Sequence, residues 1–144
     1  MSDFETIIGS EEWIRAGAYY VRTEGMVKDF AVPLSAEFDS DGSGMQYVVL
    51  LDNLLPVATA RPVMLDAHTA RIGRVCVIPH YRGRNVGRLL IEETERWLKS
   101  LGVDKVVIYS RDAVVPFYEK LGYTADWNDT HQGFFTEVYT EKNL

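Results

Sequence analysis

Three arginines, two glycines and an asparagine fall within seven residues in Arg82-Gly83-Arg84-Asn85-Val86-Gly87-Arg88, the part of the chain best suited to hold an anion. Small residues let a backbone approach a ligand closely, and the first amides of a helix have no internal partner. Those amides sit at the positive end of the helix dipole, which favours phosphate. Arg82, Arg84 and Arg88 add mobile positive charge beside them. The chemistry points to a phosphate-bearing ligand. Taken alone, the same residues also fit a plain turn with solvated arginines.

The neighbouring elements decide whether such a turn can form. Upstream, Ala70 to Val77 reads as a strand that ends before Pro79, and downstream Leu89 to Leu101 reads as an amphipathic helix. A second chemically suggestive segment follows at Pro116-Phe117-Tyr118-Glu119-Lys120-Leu121-Gly122-Tyr123. It holds a phenol that can give up a proton, with Phe117 and Tyr123 as core aromatics on the same element.

These two motifs, in this order, resemble the GNAT superfamily of acyl-CoA-dependent N-acyltransferases. The stretch from Val75 to Gly87 is similar to that family's pyrophosphate loop, Arg/Gln-x-x-Gly/Ala-x-Gly/Ala. The stretch from Pro116 to Tyr123 is similar to its Phe-Tyr-x-x-x-Gly-Phe/Tyr segment. The resemblance covers the C-terminal half. It implies that Gly83, Arg84, Asn85, Val86, Gly87 and Arg88 hold the pyrophosphate of acetyl-CoA. It implies that the strand Val75-Cys76-Val77 pairs with the pantetheine arm, a form of β-augmentation by ligand. It further implies that Tyr118 protonates the departing thiolate, a phenol of pKa about 10 meeting a thiol of about 8.5. Arg82 either aids the phosphates or braces the loop, and Arg74 is equally an outward strand residue.

Two positions depart from the family pattern. Asn85 stands where Gly or Ala is frequent, and Asn tolerates left-handed backbone. Arg111 and Asp112 stand where many relatives carry an Asn that contacts the pantetheine; Arg111 is a candidate for a CoA phosphate or for surface charge. In the N-terminal half, Tyr20 to Val27 and Ala36 to Asp41 are similar to the ElaA/YjcF-like branch of small bacterial acetyltransferases. Glu37, Asp39 and Asp41 are thereby candidates to attract an amine or take its proton, against the ordinary reading of solvated loop acids.

Other chemistries fit less well. Asp39-x-Asp41-Gly42-x-Gly44 invites a calcium loop, but Leu50 stands where the bidentate Glu is needed. His68, His80 and His131 are scattered, Cys76 is the only cysteine, and no metal site or internal disulfide is expected. A P-loop would need Lys-Ser/Thr where Arg88-Leu89 follows Gly87. The net charge of −6 argues against nucleic acid, whereas a local basic site on an acidic chain suits an anionic cofactor. Acidic residues near the start (Asp3, Glu5, Glu11, Glu12) and the lack of a long apolar run make a cytoplasmic protein with no membrane partner the expectation.

The 144 residues read as one domain of α/β class, a GNAT-like mixed, mostly antiparallel central sheet flanked by helices. Phe4 to Ile8 is a candidate first strand, and Ser10 a candidate cap for a helix through Val21, followed by a second helix near Val27 to Leu34. Tyr47 to Leu51 and Val57 to Val63 form a hairpin. Lys105 to Ser110, a short helix from Val115 to Leu121, then Tyr123 to Ala125 and Phe134 to Tyr139 complete the order. The expected activity is acetyl transfer from acetyl-CoA to a primary amine of a small molecule or peptide, without a covalent intermediate. A non-catalytic acyl-CoA-binding or regulatory module is the alternative. The resemblance also implies a homodimer as a candidate assembly, since dimers are frequent in that family.

Overall fold

The computed structural model describes residues 3–144. Seven strands are hydrogen-bonded in the order β1-β2-β3-β4-β5-β7-β6. They are β1 (Glu5–Gly9), β2 (Tyr47–Asp52), β3 (Leu55–Met64), β4 (Thr69–Val77), β5 (Lys105–Arg111), β6 (Thr124–Gln132) and β7 (Thr136–Asn143). Pairs β1–β2, β2–β3, β5–β7 and β6–β7 are antiparallel, and β4–β5 is parallel. The mixed, mostly antiparallel α/β class is the one the sequence predicts. The described residues form two compact units, one running through Val63 with Arg74–Thr94, the other comprising Met64–Gly73 and Glu95–Leu144.

In the first unit, α1 (Glu12–Arg22) buries Ile14, Ala18 and Val21, whose spacing of four and three residues lines one helical face. Ile14 and Ala18 pack with Tyr47 and Val49 of β2. Ser10 does not cap this helix. Glu11 takes the cap position, and its carbonyl oxygen accepts from the Ile14 and Arg15 amides. The second helix differs from the expected Val27 to Leu34. α1 runs into a π-helical turn, Thr23–Lys28, and a separate α2 (Leu34–Glu37) begins after Pro33. Pro33 lacks an amide hydrogen, so it starts a helix readily but cannot lie inside one.

The β2–β3 hairpin turns at Asn53, whose φ of 55° is the left-handed conformation that asparagine tolerates. After β4, α3 (Val86–Ser100) buries Leu90, Ile91, Thr94 and Leu98 along one stripe. In the second unit, the parallel ladder pairs Thr69–Arg71 with Lys105–Val107, while β5 continues to Arg111. α4 (Val115–Lys120) buries Val115 and Tyr118. β6 and β7 are longer than the sequence suggests, and their register shifts between Asp126 and Thr130. No helix is long and apolar enough to cross a membrane among the described residues.

Candidate active site

The glycine-arginine turn forms as its residue types require. Gly83 has φ 73° and Asn85 φ 63°, so the chain passes through two left-handed residues before α3 begins. A Cβ on Gly83 would meet no atom within 4 Å, so the glycine is there for its backbone angle and not for crowding. The Asn85 carbonyl oxygen accepts from the Leu89 amide at 3.1 Å, closing the first turn of α3. Val86 is buried and anchors that turn, while Gly83, Arg84, Asn85 and Arg88 are exposed. The amides of Val86, Gly87 and Arg88 precede the first intrahelical bond and face no partner within the helix.

The arginine side chains are drawn aside from these amides. Arg82 is a brace: Nε donates to the Val77 carbonyl oxygen at 3.0 Å, Nη2 to that of Gly25 at 3.0 Å, and Nη1 meets Asp29 at 2.6 Å. These bonds are those of a loop brace, and the side chain remains 38% exposed. Arg84 lies 4.6 Å over the Tyr81 ring, and Arg88 meets Glu92 at 3.4 Å. The donors presented by the turn are therefore backbone amides, with Arg84 and Arg88 close in sequence and exposed. This set fits a pyrophosphate, which needs several convergent donors and a close backbone.

Val75, Cys76 and Val77 end β4. The Cys76 thiol is buried and donates to the Val21 carbonyl oxygen at 3.6 Å, so its side chain serves packing. Arg74, just before them, has φ 50°. Its guanidinium meets Asp39 at 3.0 Å and Glu37 at 3.8 Å, and donates to Ser40 Oγ at 3.3 Å. It is thus engaged within the protein and not a plain outward strand residue.

Glu37, Asp39 and Asp41 belong to a charged network of the same unit. Arg22 is fully buried; its Nε meets Glu37 at 2.8 Å and its Nη1 meets Asp41 at 2.7 Å. Arg61 reaches Asp41 at 3.0 Å, and the Tyr47 hydroxyl donates to it at 2.7 Å. Burial alone would raise the Asp41 carboxyl, but bonds from Arg22 and Tyr47 outweigh it and hold the group well below the usual carboxylate range. A carboxylate held this way favours its charged form. Glu37 is buried against Arg22, whereas Asp39 stays 60% exposed. An open groove of about 440 Å³ beside this network is lined by Tyr19, Thr23, Leu34, Phe38 and Asp41.

In the second unit, Tyr118 is 5% exposed, its ring edge-on to Phe117 at 5.0 Å and to Tyr123 at 5.7 Å. Burial pushes its phenol well above the ordinary value, and the Arg111 guanidinium pulls it partly back. Arg111 lies 4.9 Å over the Phe135 ring. Tyr123 is core, as the sequence suggests, but its hydroxyl donates to Glu95 at 2.6 Å, and Lys142 meets the other Glu95 oxygen at 2.9 Å. Neither this triad nor the Arg22 network was foreseen. Their ion pairs join residues 15 to 47 apart, and no spacing rule links them.

Comparison with known proteins places the chain in a family. The acetyltransferase (GNAT) family model matches residues 11–123, which includes both the turn and Tyr118. The uncharacterized N-acetyltransferase YjcF of Bacillus subtilis (strain 168) is 29% identical over 119 residues, 83% of this chain and 84% of that protein. A crystal structure described as an N-acetyltransferase from Lactobacillus plantarum gives a TM-score of 0.91 at 30% identity, covering 98% of each chain. Escherichia coli ElaA shares the fold, with a TM-score of 0.81 at 19% identity over 96% of this chain and 99% of that one. With four-fifths of its length under one family model and a near-complete structural match, this chain belongs to the GNAT family of acetyltransferases.

Proposed function

We propose that this chain, as a single domain, transfers an acetyl group from acetyl-CoA to a primary amine of a small molecule or peptide. The observation that carries this reading is the turn into α3, where left-handed Gly83 and Asn85 present the amides of Val86, Gly87 and Arg88 at a helix N-terminus. In this reading those amides bind the pyrophosphate, with Arg84 and Arg88 adding charge. Backbone groups of Val75, Cys76 and Val77 pair with the pantetheine arm and steady the negative charge that develops on the thioester oxygen. Arg111 is the further candidate for a CoA phosphate.

Tyr118 delivers its proton to the departing thiolate. Burial raises its pKa, so the proton is in place at neutral pH. The amine attacks in its neutral form. Asp39, the exposed member of the acidic trio, is the member best placed to attract a cationic amine from solvent.

Calorimetric titration with acetyl-CoA, using ATP as control, tests the reading. Micromolar binding of acetyl-CoA and not of ATP is expected. Tyr118→Phe is expected to keep that affinity within about threefold and to lower kcat about a hundredfold, the lower end of general-acid effects. No acetyl-CoA binding would overturn the reading. Binding without turnover of any amine, unchanged by Tyr118→Phe, would instead favour an acyl-CoA-binding module.

A further inference from the structure

Arg74 is the only non-glycine residue within a strand whose φ is positive among the described residues. Left-handed backbone is unfavourable for an ordinary side chain and persists where surrounding contacts over-determine it. Those contacts come from one place. The α2–β2 segment supplies Asp39, Ser40 and Glu37 to the Arg74 guanidinium. That segment is in turn fixed from below. Arg22 holds Glu37 by its carboxylate and by its carbonyl oxygen at 2.6 Å, and Arg22 and Arg61 together hold Asp41. Ser40 is shared, its Oγ accepting from both Arg61 and Arg74. Three guanidiniums thus balance three carboxylates, and Arg22, Glu37 and Asp41 are the most deeply buried of the six.

We propose that this network is a clamp that sets the left-handed kink at Arg74, making Arg74 and Asp39 positioning residues for the backbone of Val75, Cys76 and Val77. The kink immediately precedes these three residues, so its angle fixes where their amides and carbonyls point. A simple surface ion pair would not need a buried arginine beneath it, nor a strained residue at its end. The consequence for activity rests on the function proposed above, whereas the clamp itself is a property of the free protein.

Three variants test it, each first checked for cooperative unfolding. In the free protein, Arg74→Ala should speed hydrogen exchange at Val75, Cys76 and Val77 about tenfold, with exchange in β1 and β2 unchanged. Asp39→Asn should give about threefold, since it removes an exposed pair worth at most about a factor of five. In turnover, kcat should fall by similar factors while acetyl-CoA affinity stays within about threefold. Arg74→Gly separates positioning from direct contact. Glycine takes φ near 50° without the Cβ cost, so Arg74→Gly should recover at least fivefold in kcat over Arg74→Ala. Wild-type exchange in Arg74→Ala, or equal kcat for the glycine and alanine variants, would overturn the clamp. If the wild type transfers no acetyl group, the functional reading falls and the exchange measurement still decides the clamp.

Discussion

The backbone of Gly25 lies against the sulfur of Cys76, with no room for a Cβ between them, and that Cβ would stand 3.3 Å from the Val77 carbonyl oxygen. The π-helical turn therefore touches β4 through bare backbone. The Gly25 carbonyl oxygen also accepts from Arg82 Nη2, so the same glycine anchors the brace of the anion-binding turn.

Gly25→Ala is accordingly expected to destabilise the protein by about 1–3 kcal/mol, the cost of overpacking a close-packed site. Cys76→Ala should relieve part of that cost when the two are combined. Urea unfolding of the two single variants and the double variant measures this relief as a coupling energy, and strictly additive losses would contradict the contact.

Arg22 is the most deeply buried charged side chain among the described residues. Replacing it with Met leaves Glu37 and Asp41 buried without their central cation, and a loss of about 3–5 kcal/mol is expected. Chemical denaturation at neutral pH checks it.

The pH dependence of that network follows from Asp41, whose pKa is lowered on folding. A lowered carboxylate contributes stability above its unfolded pKa of about 3.9 and loses it as pH falls toward the folded value. The stability gap between wild type and Asp41→Asn should be level from pH 7 to about 5 and shrink below about 4. A gap that widens on acidification would contradict the assignment.

Turnover should rise with pH at saturating acetyl-CoA, about tenfold per unit while the amine remains mostly protonated. Because the Tyr118 phenol is raised above its ordinary value, it stays protonated through this range. The profile should show no downturn from this group below about pH 10. A flat profile between neutral and alkaline pH would refute attack by a free amine as the pH-sensitive step.

Asn85 offers a backbone test. At φ 63° it can be replaced by Gly with acetyl-CoA affinity held within about twofold. Asn85→Val should cost about 1–2 kcal/mol and weaken binding, as read by thermal unfolding and calorimetry.

Local chemistry explains which parts were legible in the sequence. The turn into α3 could be read because glycine, asparagine and an amphipathic run each carry a local signal within a few residues. Tyr118 was singled out through the resemblance of its segment, with Phe117, Gly122 and Tyr123, to a family motif. By contrast, the π-helical turn at Thr23–Lys28 has no composition of its own, because the extra residue is set by packing against β4. The span of β6 was hidden because an exposed strand such as Thr124–Gln132 lacks the alternation of a half-buried one. The Arg22 network was unreadable for another reason: Arg22, Glu37, Asp41, Arg61 and Arg74 meet only after four separate elements have folded.

The end of the strand order has a bearing on solution behaviour. β6 lies at the edge, and its ladder slips between Asp126 and Thr130. The Asp126 carboxylate caps the Asn128 amide at 3.0 Å, and Asp129 adds a second negative charge beside the slip. An incoming strand would find the row of donors interrupted and two anions at the interruption. Interrupted ladders and charges of this kind are features that disfavour edge-to-edge pairing, here beside the exposed Trp127.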